Sequence, residues 1–159
     1  VGLPHPGGPT IEKLAENGSK FIDLPYVVKG MDLSFSGLLT AILRVKDKYE
    51  LEDLAFSLQE IAFSMVAEVT ERALAHTQKK ELLLTGGVAA NKRLAEMLED
   101  IAKEHDANFA AVRKDLAGDN GAMIAWTGIL QYKSGDVLKV EESEVIPKWR
   151  PDSVEIGWL

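Results

Sequence analysis

Apolar and polar positions follow several rhythms along this chain, and each rhythm predicts its own kind of element. The most regular runs from Leu51 to Thr77. There Leu51, Leu54, Ala55, Leu58, Ile61, Ala62, Met65, Val66 and Val69 recur at three- and four-residue intervals. That spacing places them on one face of a long helix, and the stripe reads as core packing. A different pattern follows. ELLLTGG, Glu81 to Gly87, is a short continuous apolar run that ends in glycines, the mark of a buried strand and a tight turn. A helical pattern from about Ala89 to His105 comes next, then NFAAV, Asn108 to Val112, as a second strand. Strand, helix and strand in that order predict a right-handed βαβ unit with parallel strands.

The flanking segments are less periodic. Gly2 to Gly8 reads as a loop, and Pro9 suits the first turn of a helix, where a missing N–H costs little. That helix runs through IEKLAE and stops near Asn17-Gly18, with Gly8 as its cap. FIDLPYVV is extended and apolar, MDLSFSG is a short strand or turn, and LLTAILRVKDK is helical. A further helix starts near Asp119 and passes through AMIAWTGILQY to Ser134-Gly135. The remaining tail is irregular, with Pro147 and Pro151 opposing regular structure. The fold class is α/β, rich in helix and poor in strands. A chain that opens at Val1 directly on a glycine loop is expected to be a fragment, a single lobe over 1–159 and an incomplete domain.

Composition narrows the partners. The net charge is −7, so general attraction to nucleic acid or to an acidic membrane is not expected, and a nucleic-acid partner would need a local basic patch or a helper subunit. Lys92, Arg93, Lys148 and Arg150 are the candidates for such a patch, with solvated surface as the alternative. Cysteine is absent, which excludes disulfides and thiolate metal sites and is compatible with a cytoplasmic protein. No apolar run approaches the roughly 20 residues of a membrane span, so no membrane partner is expected.

Candidate chemistry gathers at three places. At LLLTGGVAANKRL the bare backbone of Gly86 and Gly87 lies beyond the carboxyl end of a strand, where ligands bind in α/β sheets. The helix that follows presents free N–H groups to a polar or anionic group. Asn91, one turn on, carries a donor and an acceptor suited to an adenine edge or a ribose; a plain strand-to-helix turn is the alternative. At GDNGAMIAW, Asp119 is either a helix N-cap or a metal ligand. At PGGPTIEKL, backbone at Gly8 and the Glu12 carboxylate could hold adjacent hydroxyls, or Glu12 could simply favour the helix dipole. His5 lies in the glycine loop within reach of a ligand, while His76 and His105 read as exposed residues near helix ends. No HExxH, GxSxG or cysteine nucleophile occurs, so protease chemistry has no support.

The segments PHPGGPTIEKLA, SFSGLLTA, LLLTGGVAANKRL and GDNGAMIAWTG, in this order, resemble the universal tRNA threonylcarbamoyladenosine synthases, formerly called O-sialoglycoprotein endopeptidases. The form DNGAMIAWTG is similar to the archaeal and eukaryotic branch, the catalytic subunit of the KEOPS complex. The resemblance implies the C-terminal lobe of the actin-like (ASKHA) fold shared with Hsp70 chaperones and sugar kinases. It implies that Gly8 and Glu12 contact the adenosine or ribose, that Gly86, Gly87 and Asn91 hold the adenylate substrate or ATP, and that Asp119 is catalytic through a divalent metal, iron or zinc. The reaction implied is transfer of a threonylcarbamoyl group from threonylcarbamoyl-AMP to the N6 amine of the adenosine 3′ to a tRNA anticodon. The family's HxxxH helix, which supplies two metal-binding histidines, does not occur in this sequence, so catalysis would need an N-terminal lobe. The implied partners are tRNA, that lobe, and the KEOPS kinase-like ATPase and small dimerising subunits. A nucleotide- and partner-binding module without catalysis of its own is the alternative.

Overall fold

The stripe beginning at Leu51 folds as one helix of 27 residues, and the rest of its unit is arranged around it. The computed structural model describes residues 2–3, 5–118, 120–150 and 153–158. The chain divides into two compact units, Val1–Gly118 and Asp119–Leu159. The first contains α1 (Gly8–Ala15), β1 (Val28–Lys29), β2 (Asp32–Leu33), α2 (Leu38–Val45), α3 (Leu51–Thr77) and β3 (Glu81–Leu84). It continues with a 3-10 turn (Gly87–Ala90), α4 (Lys92–Glu104), β4 (Asn108–Ala111) and a second 3-10 turn (Lys114–Leu116).

Helix α3 is covered on two sides, where the spacing predicts a single stripe. Ile61 and Met65 join Leu24, Leu38 and Ile42 in one core. Ala67 joins Leu94 and Leu98 in another, bordered by Phe63, Val66, Leu82, Leu84 and Phe109. Met65 is fully buried, which contributes about 1.5–3 kcal/mol. Ser57, Gln59, Ala67 and Leu74 are buried although they lie off the stripe, because α1 and α4 cover faces of α3 that the stripe does not reach.

The extended stretch after α1 is tied to α3 by polar side chains. The Asp53 carboxylate accepts from the amides of Ser19 and Lys20, both at 2.9 Å. The Lys20 amide first, then that of Ser19, hold its carboxyl below the usual carboxylate range. Ser57 Oγ accepts from the Ile22 amide at 2.8 Å and donates to the Asp53 carbonyl at 2.7 Å. Gly18 allows this approach: a Cβ there would lie 2.4 Å from Phe56 Cβ and 2.5 Å from the Glu52 carbonyl oxygen. Further along, β1 and β2 form an antiparallel hairpin, so of the strand or turn expected in MDLSFSG the strand is found, at Asp32–Leu33.

The βαβ expectation holds in its pairing. Strands β3 and β4 are parallel, with Glu81 opposite Asn108 and Leu84 opposite Ala111. Helix α4 packs on both and on α3. Its start differs from the expected Ala89. Residues Gly87–Ala90 make a 3-10 turn first, and α4 begins at Lys92 with Asn91 as N-cap. At α1 the cap is Gly7; Gly8 is the first helical residue, so its expected capping role is corrected.

The second unit carries α5 (Gly121–Ser134), closed by Gly135 in the left-handed region at φ 81°. Of the two roles open to Asp119, helix cap or metal ligand, the cap falls on Asn120 instead, whose side chain accepts from the Met123 amide at 3.2 Å. Asp119 itself lies outside the described residues. A short 3-10 turn at Val140–Glu142 interrupts an otherwise irregular tail. Among the described residues of this unit none is buried, and Met123, Ile124, Trp126 and Ile129 of α5 are all exposed.

Candidate functional site

Three separate segments of the first unit meet around one cavity of about 370 Å³. The start of α1 contributes Gly8, Pro9, Ile11 and Glu12. Helix α3 contributes Leu58, Gln59, Ala62 and Phe63. The link from β3 to α4 contributes Gly87, Val88, Ala90 and Asn91. Most of this lining is apolar, with polar groups at Glu12, Gln59 and Asn91, the composition usual for a small-molecule pocket. A second, more polar cavity of about 360 Å³ lies beside it and shares Glu12 and Gln59.

The two glycines of the strand-to-helix link have different tasks. Gly86 has φ 92° and ψ 173°, a conformation open in practice only to glycine, and it turns the chain out of the β3 direction. It does not line the cavity. Gly87 does line it, and a Cβ there would meet nothing within 4 Å, so the backbone faces open space. The amides of Gly87 and Val88 have no hydrogen-bond partner among the described residues.

The N-terminus of α4 is largely satisfied from within the protein, which corrects the expectation of free N–H groups there. Asn91 Oδ1 accepts from the Leu94 amide at 3.1 Å. The Glu12 carboxylate accepts from the Lys92 amide at 2.9 Å, capping a helix other than its own. Glu12 thus serves the start of α4 rather than the dipole of α1. One carboxylate oxygen is committed, and the other has no partner among the described residues.

Asn91 makes a second bond, from Nδ2 to Gln59 Oε1 at 3.0 Å. Gln59 is a residue the sequence reading passed over. A glutamine on a helix usually points to solvent, and only the arrival of α1 and α4 buries it to 9% exposure. Nearby, Arg93 forms a paired contact with Glu60, Nε to Oε1 at 2.7 Å and a terminal nitrogen to Oε2 at 2.8 Å. The Glu60 carboxylate holds the guanidinium proton more tightly than usual. Arg93 therefore fastens α4 to α3 and is not an open element of a basic patch.

The remaining candidates lie elsewhere. His5 is exposed and does not line the cavity. His76 is exposed at the end of α3, whereas His105, expected to be exposed, is half-buried with Nε2 3.7 Å from a Glu71 oxygen. No group of three metal-ligating side chains assembles among the described residues. The described residues thus supply no donor set for the metal that the resemblance implies.

Taken together, these elements define an α/β protein with a ligand-sized cavity beyond the carboxyl end of a parallel strand. The chain belongs to the family described as TsaD, tRNA N6-adenosine threonylcarbamoyltransferase, whose model matches residues 1–126. It is 56% identical over 160 residues to a probable bifunctional tRNA threonylcarbamoyladenosine biosynthesis protein of Methanocaldococcus jannaschii, covering 100% of this chain and 30% of that one. It is 55% identical over 158 residues to a tRNA N6-adenosine threonylcarbamoyltransferase of Methanothrix thermoacetophila, covering 99% and 49%. The chain thus spans between about a third and a half of the length of these relatives. Among solved structures, T. kodakarensis HypF shares the fold at a TM-score of 0.61 and 22% identity, over 85% of this chain and 18% of that one.

Proposed function

We propose that this chain carries part of the adenylate site of a tRNA N6-adenosine threonylcarbamoyltransferase. The observation that carries the reading is the convergence of Gly8, Glu12, Gly87 and Asn91 on one cavity. These residues come from distant parts of the sequence, and each stands in one of the segments that carry the family resemblance, PHPGGPTIEKLA or LLLTGGVAANKRL. In this reading the nucleoside lies against the apolar wall of Ile11, Leu58, Ala62 and Phe63. The free oxygen of Glu12 accepts from a ribose hydroxyl, and the amides of Gly87 and Val88 face the phosphate.

The reaction served is attack of the tRNA adenosine N6 amine on the carbamoyl carbon of threonylcarbamoyl-AMP. A C–N bond forms, the bond from carbon to the phosphate oxygen breaks, the amine loses a proton, and AMP leaves. In a water-poor cavity, fixed backbone donors stabilise the departing phosphate without reorganising. The wider reading follows the resemblance: an ASKHA lobe that works with an N-terminal lobe, tRNA and KEOPS-type subunits in the cytoplasm. Asp119 is carried in it as a metal ligand on the strength of GDNGAMIAW alone.

The test is tRNA threonylcarbamoylation by the full-length protein with its partners reconstituted. Asn91→Asp keeps the oxygen that caps α4 and removes the amide donor. Glu12→Gln keeps an acceptor for the Lys92 amide and removes the charge. Glu12→Gln should lower activity about tenfold, the order of one lost polar contact to a ligand. Asn91→Asp should do likewise, because an aspartate has no donor to hold Gln59 at the cavity wall. Both should keep unfolding midpoints close to wild type. Full activity in both folded variants would sink the assignment of this cavity.

A further inference from the structure

Among the described residues, Gln59 is the one polar side chain that is nine-tenths buried and lines both cavities. Its orientation is fixed by a chain of contacts that starts at the backbone. The Leu94 amide can only donate, so the Asn91 atom facing it is the oxygen Oδ1. Asn91 Nδ2 is then the opposite end of that amide, and it can only donate. The Gln59 atom 3.0 Å from it must accept, and is Oε1. Gln59 Nε2 is left turned away from Asn91, with two N–H donors and no partner among the described residues. No unpartnered side-chain polar atom is fully buried among those residues, so Nε2 opens onto the cavity space that Gln59 lines.

We infer that Gln59 is a specificity-determining residue of this site, holding the Asn91 amide in place through Oε1 and donating through Nε2 to an acceptor atom of the bound nucleoside. This rests on the adenylate reading of the cavity. With Oε1 held by Asn91, Nε2 is a fixed donor at the cavity wall, and a ligand acceptor there takes the place of cavity water. A site built this way discriminates against ligands that lack the matching acceptor. The arrangement also accounts for a glutamine in the middle of a helix face otherwise occupied by Ala55, Leu58 and Ala62.

The experiment titrates AMP into the full-length protein by calorimetry, from about pH 8 down to about pH 4, just below the ordinary glutamate value of about 4.3. Wild type is compared with Gln59→Glu and Gln59→Met. The charged groups around position 59 are Glu12 of α1 and Glu16 just after it, Glu60 of α3, and Lys92, Arg93 and Glu96 of α4. All are common to the three proteins, so the wild-type profile removes their contribution.

An ionised Glu at this position can still accept from Asn91 but has no donor for the ligand. At about pH 8 this variant should bind AMP about tenfold or more weakly than wild type, the effect of one lost hydrogen bond. On acidification its carboxyl gains an O–H donor, and its affinity should approach that of wild type. Gln59→Met should bind weakly at every pH. If Gln59→Glu binds as well as wild type throughout, or stays as weak as Gln59→Met when acidified, the donor role is overturned. If wild type itself shows no AMP binding, the adenylate reading fails and this inference falls with it.

Discussion

Tyr26 illustrates how one side chain can report on the fit of a whole segment. Its hydroxyl donates to Glu68 on α3, and its pKa is pushed from the ordinary 10.0 to about 12. Burial is the largest cause, followed by the hydrogen bond and the charge of Glu68, with Arg72 opposing them. The folded state therefore favours the neutral phenol. Its contribution to stability is fully present below pH 10.0 and is lost as the pH rises through about 12. Replacing Tyr26 by Phe should flatten the alkaline fall of the unfolding midpoint across that window, and the difference in phenolate absorbance should place the transition near its upper end. An unchanged alkaline profile would show that the Glu68 contact is not formed in solution. Nothing in FIDLPYVV announces this contact, because its partner lies 42 residues further on. The same is true of Gln59. The cavity residues that could be read from the sequence, Gly8, Glu12, Gly87 and Asn91, stand in motifs of glycine and polar residues. A polar residue buried by two helices from elsewhere in the chain has no local signature.

At the scale of elements, Gly18 holds the exit of α1 against α3 at a separation that leaves no room for a methyl group. Gly18→Ala should cost about 1–3 kcal/mol, as overpacking of a tight contact does. Its unfolding midpoint in denaturant should fall with little change in slope; a midpoint equal to wild type would mean that the contact is looser than the geometry shows. Sequence rhythm was most informative where an element is long or repeats its pattern. Helix α3 begins and ends where its stripe predicts, and β3, α4 and β4 appear in the expected order. It was least informative at helix ends. The cap of α1 lies at Gly7 and not Gly8, α4 starts at Lys92 and not Ala89, and α5 is capped by Asn120, because a helix end depends on one backbone turn and on which neighbour supplies an oxygen. Periodicity also reports a helix face without counting how many partners cover it, and so a helix enclosed on two sides resembles one enclosed on a single side.

Across the whole chain, burial is unevenly shared. The first unit holds every buried residue among those described, and α5 of the second has none. Helical hydrogen bonds without packing open at low free energy. Amide hydrogen exchange of the 159-residue chain should therefore leave the middle of α3 and α4 protected long after α5 has exchanged. Equal protection of α5 would show that its apolar residues are covered in solution.

One bond in the candidate site has a consequence in time. The Glu12 carboxylate and the Lys92 amide that it accepts from are 80 positions apart. Closing so long a loop carries an entropic cost that only later contacts offset. During synthesis the α1 and α3 walls emerge first, and the third wall, the link from β3 to α4, follows only later. The pocket is thus a late product of folding: a nascent chain can bury Met65 and pair its first hairpin while it still has nowhere to hold a ligand.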